Sequence, residues 1–444
     1  MKTKILLVVV LVLITGTLTV FAADLQFATG TIQTLTIDDA VRIALENNLT
    51  LRQNALDLGI SRRNADRSWN SLLPTLNASA MISHPTSITG PIEPDSRNVW
   101  TPGFSISAGF TFSASVIENI NKAKSDYETG LLSYEAARQE IELQVRKMFY
   151  QLILLDSNRE LSSQNLQNAQ ARYEQIVILV RLGQSTMLDE LSAKVDMENA
   201  RPSALNTEIQ YENAIDSFKS ILGIPSDTVL KLDGSLAFEI SQIITNANNE
   251  SSVSLEALRL MQSIRSMEAQ RNTIRNNAYI PSLRLSWTST PLYNIQNKSW
   301  SDNGSFSITL GFNIDNFFPW SSAKTQIDNL NDNISSAQIQ LSDSLRNRDN
   351  RINQYLRNIE KIFESIDAIT LNVDLAQRTY EMTEDAYNRG AADYQRLRNA
   401  GDSINQAKNH LFQEQYNLIS TLLDLEKELN IPFGTLTNCD LSIN

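Results

Sequence analysis

Hydrophobic and polar positions change period along this chain, and the changes mark out its elements. At Ile141, Val145, Met148, Leu152, Leu155, Arg159, Ser162, Leu166, Ala169, Tyr173, Ile176 and Val180 the spacing alternates between four and three residues. That is the seam of a left-handed coiled coil, and it predicts a helix from about 130 to 181, roughly 75 Å long at ~1.5 Å per residue. The same spacing returns at Ile352, Tyr355, Ile359, Ile362, Ile366, Ile369, Val373, Ala376, Tyr380, Thr383 and Tyr387. Helices this long with so narrow a seam pair with other long helices rather than fill an ordinary α-protein core.

The two seams belong to one repeated unit. The stretch from Leu131 to Pro225 recurs from Gln338 to Pro432 at a constant offset of 207 residues. Ala169, Gln170 and Tyr173 return as Ala376, Gln377 and Tyr380, Gly183 as Gly390, and Leu222-Gly-Ile-Pro225 as Leu429-Asn-Ile-Pro432. The chain therefore divides into residues 23–240 and 241–444, each reading helix, strands, then long helices, with the polar run Ser241 to Ser254 as a linker. The leading helix of the first half starts at Thr36, an N-cap with Asp39 three residues later, and runs to Pro74. Its counterpart starts at Ser254 and ends at Pro281.

Between these elements the period drops to two. Phe104, Ile106, Ala108, Phe110, Phe112 and Ala114 alternate with Ser105, Ser107, Gly109, Thr111 and Ser113. Phe306, Ile308, Leu310, Phe312 and Ile314 alternate likewise, and shorter alternations follow Pro74 and Pro281. This predicts one strand hairpin per half, about 75–114 and 282–315, with loops around Pro85 to Pro102 and Pro291 to Gly304. The better strands have a length that crosses a tilted bilayer, and their polar faces are small and neutral. Trp100, Trp287, Tyr293, Trp300, Phe317, Phe318 and Trp320 gather at strand ends, as an interfacial aromatic belt does. Four strands cannot close a barrel, the smallest single-chain ones having about eight, and an open edge cannot be left in lipid. The reading thus requires assembly. Three copies would supply twelve strands and four copies sixteen.

Met1 to Ala23 reads as a secretory signal, with Lys2 and Lys4 before an apolar run from Ile5 to Ile14 and cleavage expected after Ala22. The apolar run is too short for ~30 Å of hydrocarbon. Loss of the two lysines takes the formal net charge from −12 to −14, which disfavours nucleic acid and anionic lipid as partners. Cys439 is the single cysteine, so no intramolecular disulfide is available.

Several motifs carry a family resemblance: the Leu35 to Asn48 run Leu-Thr-Ile-Asp-Asp-Ala-Val-Arg-Ile-Ala-Leu-Glu-Asn-Asn, Leu-Leu-Pro-Thr-Leu at 72–76, Tyr387-x-x-Gly390 and the Leu-x-Ile-Pro ends. In this order, and duplicated, they resemble the TolC-like outer-membrane efflux proteins over nearly all of the mature chain. The resemblance implies a mainly α fold with a transmembrane β-barrel portion. In it, a homotrimer forms a twelve-stranded barrel in the outer membrane, continuous with a long periplasmic α-helical barrel. It implies an exit duct, joined through a periplasmic adaptor to an inner-membrane pump or ABC transporter of an efflux or type I secretion system. It also places the turns at Gly183 and Gly390 at the periplasmic tip, where the duct closes.

At that tip the family's acidic position six residues past the glycine is matched by Asp189 but holds Arg396 in the second half, and nine past the second glycine stands Asn399. Tyr387 keeps the family's tyrosine, and Glu190 and Asp393 are neighbouring carboxylates. The expectation is a gate built from Asp189, Glu190, Tyr387, Asp393 and Arg396, with Asp189 and Arg396 pairing across neighbouring helices. By position, Arg181, Leu182, Gly183, Gln184, Ser185, Arg389, Gly390, Ala391 and Ala392 are the adaptor-docking candidates. Arg284, on the polar face of a strand, would point into the barrel lumen.

No enzyme signature competes. His84 and His410 lack metal-ligand partners at useful spacing, and there is no phosphate loop or Gly-x-Ser-x-Gly, so no catalytic residue, cofactor or metal is expected. A secreted coiled-coil structural protein or adhesin would share the signal and the seams, but would not explain lipid-length strands in matched pairs. A passive porin would devote most of its chain to strands.

Overall fold

The structure, a computed structural model, describes residues 33–84, 100–236, 253–294 and 298–436. The expected signal segment, most of the loop between Pro85 and Pro102, most of the Ser241–Ser254 linker and Cys439 lie outside the described residues.

Thr36 caps helix α1 (Ile37–Asn47), its hydroxyl accepting from the Asp39 amide while donating to the Asp39 carboxylate at 2.8 Å. The helix expected to continue to Pro74 is broken at Asn48. The Asn48 side chain caps α2 (Leu49–Arg67) by accepting from the Leu51 amide at 3.1 Å, and its Nδ2 donates to the Ile221 carbonyl at 2.9 Å. An amide that serves two elements at once fixes a corner there. A 3₁₀ turn, Ser68–Leu72, then leads into β2 (Thr75–Ser83), paired with β3 (Thr101–Phe112).

From Ser113, which caps it, α3 runs unbroken from Ala114 to Arg181, sixteen residues earlier than the seam predicts. The upper part of α3 packs by small and polar residues, which the seam pattern does not register. Gly130 lies against Leu58 and Ser61 of α2, and buried Ser125 accepts at 2.9 Å from Gln262. After the Gly183 turn, α4 (Met187–Leu222) returns and ends at Gly223 with φ +69°. A Cβ at Gly223 would stand 2.6 Å from the Asn47 carbonyl oxygen, so both conformation and space demand glycine.

A three-residue strand β4 (Leu230–Leu232) pairs in parallel with β1 (Gln33–Leu35), a pairing too short to leave a periodic signal. Ser254 caps α5 (Leu255–Tyr279), followed by β5 (Ser282–Ser289). The stretch expected as a plain loop holds a hairpin, β6 (Pro291–Asn294) with β7 (Ser299–Asp302), before β8 (Ser305–Gly311). The strands end earlier than the alternation does, because Ser113 begins a helix and Ile314–Phe317 forms a 3₁₀ turn. Helix α6 (Ser322–Asn388) and α7 (Tyr394–Leu429) complete the chain, α7 ending at Asn430 with φ +55°.

The four longer strands lie in the order β2-β3-β5-β8, all antiparallel. Beneath them α2, α3, α5 and α6 pack side by side in that order, and further down the α3/α4 and α6/α7 hairpins meet through α3 and α7. The main core sits at that junction, around Phe149, Leu152, Phe218, Leu222, Ile419 and Leu423. Two ion pairs bind the same helices, Lys147 Nζ to Asp424 at 2.6 Å and Lys427 Nζ to Glu140 at 2.6 Å.

Candidate functional site

The strand register sorts the sheet into two chemically distinct faces, since directly opposed residues project to the same side. The rows Leu76–Ala108–Trp287–Phe306, Phe110–Leu285–Ile308 and Phe112–Leu283–Leu310 form one apolar face. Asn77–Ser107–Thr288–Ser305 and Thr111–Arg284–Thr309 lie on the other, where the Ser286 and Ser307 hydroxyls bond at 2.7 Å. A water-soluble sheet covers its apolar face. Here Leu76 is 78% exposed, Phe306 65% and Leu310 71%. Aromatic contacts bracket this band: Tyr293 and Phe104 on Trp300 at one end, Phe312 and Tyr279 on Phe317 with Phe318 stacked on Trp320 at the other. Arg284 is exposed and is the charged side chain on the polar face of these strands among the described residues. No described helix is long and apolar enough to cross a membrane.

At the far end both turns pass through left-handed glycines, Gly183 at φ +72° and Gly390 at φ +73°. The amides of Gln184 and Ala391 close them onto the Leu179 and Ala386 carbonyls at 2.8 Å each. Arg181, Leu182 and Gln184 are exposed on the first turn with Ser185 half-exposed, and Arg389 and Ala391 are exposed on the second with Ala392 half-exposed. Within one chain Asp189 and Arg396 are not paired. The Asp189 carboxylate completes a capping box, accepting from Thr186 Oγ1 at 2.7 Å and Ser185 Oγ at 3.0 Å. Burial by itself pushes this carboxyl up, but the Thr186 and Ser185 hydrogen bonds outweigh it and hold it below the usual carboxylate range. Arg396 instead lies beside Asp393, Nε to Oδ2 4.0 Å, and Asp393 caps α7 by accepting from the Arg396 amide at 2.8 Å. Glu190 occupies the first turn of α4. The Tyr387 hydroxyl is buried and finds no hydrogen-bond partner among the described residues. Burial, and then the Asp189 charge, push its phenol up.

Above the turns the two hairpins are fastened by side chains that the seam pattern passes over. Asp196 on α4 accepts from Tyr394 Oη at 2.8 Å and takes Arg398 Nε at 3.2 Å. Burial and the Asp196 bond raise the Tyr394 phenol well above its ordinary value. Arg172 on α3 donates to Tyr380 Oη at 2.5 Å, and Tyr380 donates to Glu384 at 3.1 Å. A polar cavity of about 480 Å³ opens beside them, with Asn165, Asn168, Asn199 and Asp402 in its wall. One signal was available in the sequence. At the repeat offset Tyr394 and Arg398 replace Met187 and Leu191, so the second half exchanges two apolar residues for polar ones where the hairpins meet.

Residues 40–224 match the outer membrane efflux protein family. No match was found among curated proteins. Several solved structures share the fold. The CmeC outer membrane channel of Campylobacter jejuni superposes with a TM-score of 0.74 at 16% identity, over 88% of this chain and 85% of that one. The outer membrane protein VceC of Vibrio cholerae gives 0.72 at 15%, over 89% and 96%. The open-state MtrE outer membrane channel of Neisseria gonorrhoeae gives 0.69 at 17%, over 89% of each.

Proposed function

We infer the function from a chain whose residues 40–224 match the outer membrane efflux protein family and whose fold is that of solved outer-membrane channels: it is the exit duct of a tripartite efflux or type I secretion system. The protein is an outer-membrane efflux channel rather than an enzyme, and extends into the periplasm. The observation that carries the finer reading is the sheet's uncovered apolar face, continuous through β3 and β8 with helices of 68 and 67 residues. At ~1.5 Å per residue such helices reach roughly 100 Å, enough to carry a conduit far from the bilayer.

In this reading three copies close a twelve-stranded barrel, with Phe and Ile toward lipid and the Ser, Thr and Arg284 face toward the lumen. The Gly183 and Gly390 turns form the tip that meets a periplasmic adaptor, and Asp189, Glu190, Tyr387, Asp393 and Arg396 surround the closure. Asp189 and Arg396 pair across neighbouring helices of adjoining chains in the closed state. Energy comes from the inner-membrane partner.

Fractionation with planar-bilayer recording tests the channel, since a secreted filament protein neither inserts nor conducts. Cross-linking in cells followed by co-purification tests the duct: recovery of an adaptor and an inner-membrane pump supports it. A conducting protein that never co-purifies with an adaptor would reduce it to a passive pore.

A further inference from the structure

We propose that the polar cavity between the two hairpins is a binding site for an extended anionic ligand that hydrogen-bonds along its length, of the kind an acidic tripeptide represents, and that this ligand ties the hairpins together. The site stands on the cavity's own geometry and does not depend on the channel reading.

All four long helices build the wall, α3 with Asn165 and Asn168, α4 with Asn199, α6 with Tyr380 and α7 with Asn405. At about 480 Å³ the cavity falls within the roughly 300–1,000 Å³ of small-molecule sites. Such sites are mostly apolar with a few polar groups, whereas polar groups predominate here. An apolar occupant would leave them unpaired, so the wall selects a polar one. Each wall amide offers both a donor and an acceptor, which suits the alternating N–H and C=O groups of a peptide backbone.

The charges decide the sign of the ligand. Arg172, Arg398 and Lys408 line the cavity against two carboxylates, Asp196 and Asp402, an excess of one positive charge in a chain whose formal net charge is −12. Asp196 is already engaged by Tyr394 and Arg398, and Asp402 lies 3.8 Å from Arg398. Arg172 donates to the Tyr380 hydroxyl, and among the described residues neither Arg172 nor Lys408 has a carboxylate within ion-pair distance. Both are half-buried, where a charge is screened less than in open water.

Their spacing sets the length. Asn405 Nδ2 donates to Asn165 Oδ1 at 3.2 Å, so these two residues share a level. Arg172 lies seven residues below it on α3 and Lys408 three above it on α7, together roughly 15 Å at ~1.5 Å per residue. Both side chains are long and shorten that gap. Three extended residues, about 10 Å at ~3.3 Å each, then meet both cations. A compact ion meets only one.

Below the main core the hairpins are joined by side-chain links, among them Asn165 to Asn405, Arg172 to Tyr380 and Asp196 to Tyr394. A ligand in contact with all four helices adds links across the same gap, and binding to the folded state stabilises it by mass action.

The experiment is titration calorimetry of the full chain in detergent at fixed ionic strength, with N-acetyl triglutamate as probe and N-acetyl trilysine and citrate as controls. Expected is saturable binding of triglutamate, one per chain, with a rise in melting temperature, no binding of trilysine, and weaker binding of citrate. Lys408→Gln should weaken triglutamate about tenfold and abolish most of the thermal shift. Lys408 makes no ion pair among the described residues, so the variant should fold, and its own melting curve checks that. Absence of saturable triglutamate binding, or equal affinity in Lys408→Gln, would overturn the site. Equal binding of trilysine would remove its anionic character, and citrate binding as tightly as triglutamate would remove its extended form.

Discussion

Tyr394 Oη lies 2.8 Å from Asp196 Oδ2, a hydrogen bond that ties α7 of the second hairpin to α4 of the first. Arg398 shares the same carboxylate from the next turn. Asp196 lies thirteen residues past Gly183 but Arg398 eight past Gly390, so the first turn projects about five residues, roughly 7–8 Å, beyond the second. Asp196→Ala leaves the buried Tyr394 hydroxyl without its acceptor and leaves Arg398 with Asp402 alone, 3.8 Å away. The expected cost is about 1–3 kcal/mol, read as a lower melting temperature. Tyr394→Phe, which removes one donor and keeps the ring, should cost less than half as much.

Glu426 is fully buried and accepts from the amides of Leu436 at 2.6 Å and Gly434 at 3.0 Å. At the repeat-equivalent site Lys219 reaches the Ser226 carbonyl at 2.8 Å, so each half pins its post-proline segment with a side chain from the last helical turn. Glu426→Ala should cost about 2–3 kcal/mol and expose the segment after Pro432 to protease, whereas Glu426→Gln, which retains one acceptor, should cost less. Limited proteolysis at constant temperature compares them.

Asp189 gives a pH-dependent cap. Its folded carboxyl titrates below the ordinary value of 3.8, so its stabilisation is present above that value and lost as pH falls through the lower folded one. Asp189→Asn should therefore be less stable than the parent by about 0.5–1 kcal/mol at pH 7, and the gap should close below pH ~3. A difference that persists unchanged in acid would show that the charge is not the source.

Gly183 and Gly390 hold φ near +72° with open space around their Cα atoms. Alanine at either should cost about 1 kcal/mol from backbone strain alone and nothing from crowding. Equal losses at the two turns, measured by thermal melting, would confirm that geometry rather than contact selects glycine.

Arg284 tests which face lines the pore. If the polar face is the lumen, Arg284→Glu should move the reversal potential of single channels toward cations. An unchanged value would place that residue away from the ion path.

The sequence by itself determined the periods, and with them most of the elements. Ile141 to Val180 and Ile352 to Tyr387 announced two long helices, Phe104 to Phe112 a two-faced strand, and Gly183 and Gly390 the turns, because each signal is local and repeats along the chain. The tertiary structure decided what depends on residues far apart. It moved the start of α3 back to Ala114, where Gly130 and Ser125 pack without an apolar stripe, and it broke the first helix at Asn48, whose amide reaches Ile221. It brought Asp196 to Tyr394 and Arg398, and gave Asp189 the Thr186 and Ser185 hydroxyls as partners within the chain. Periodicity reports which face of an element is apolar, but the partner that a polar side chain meets is set by how two elements cross in space.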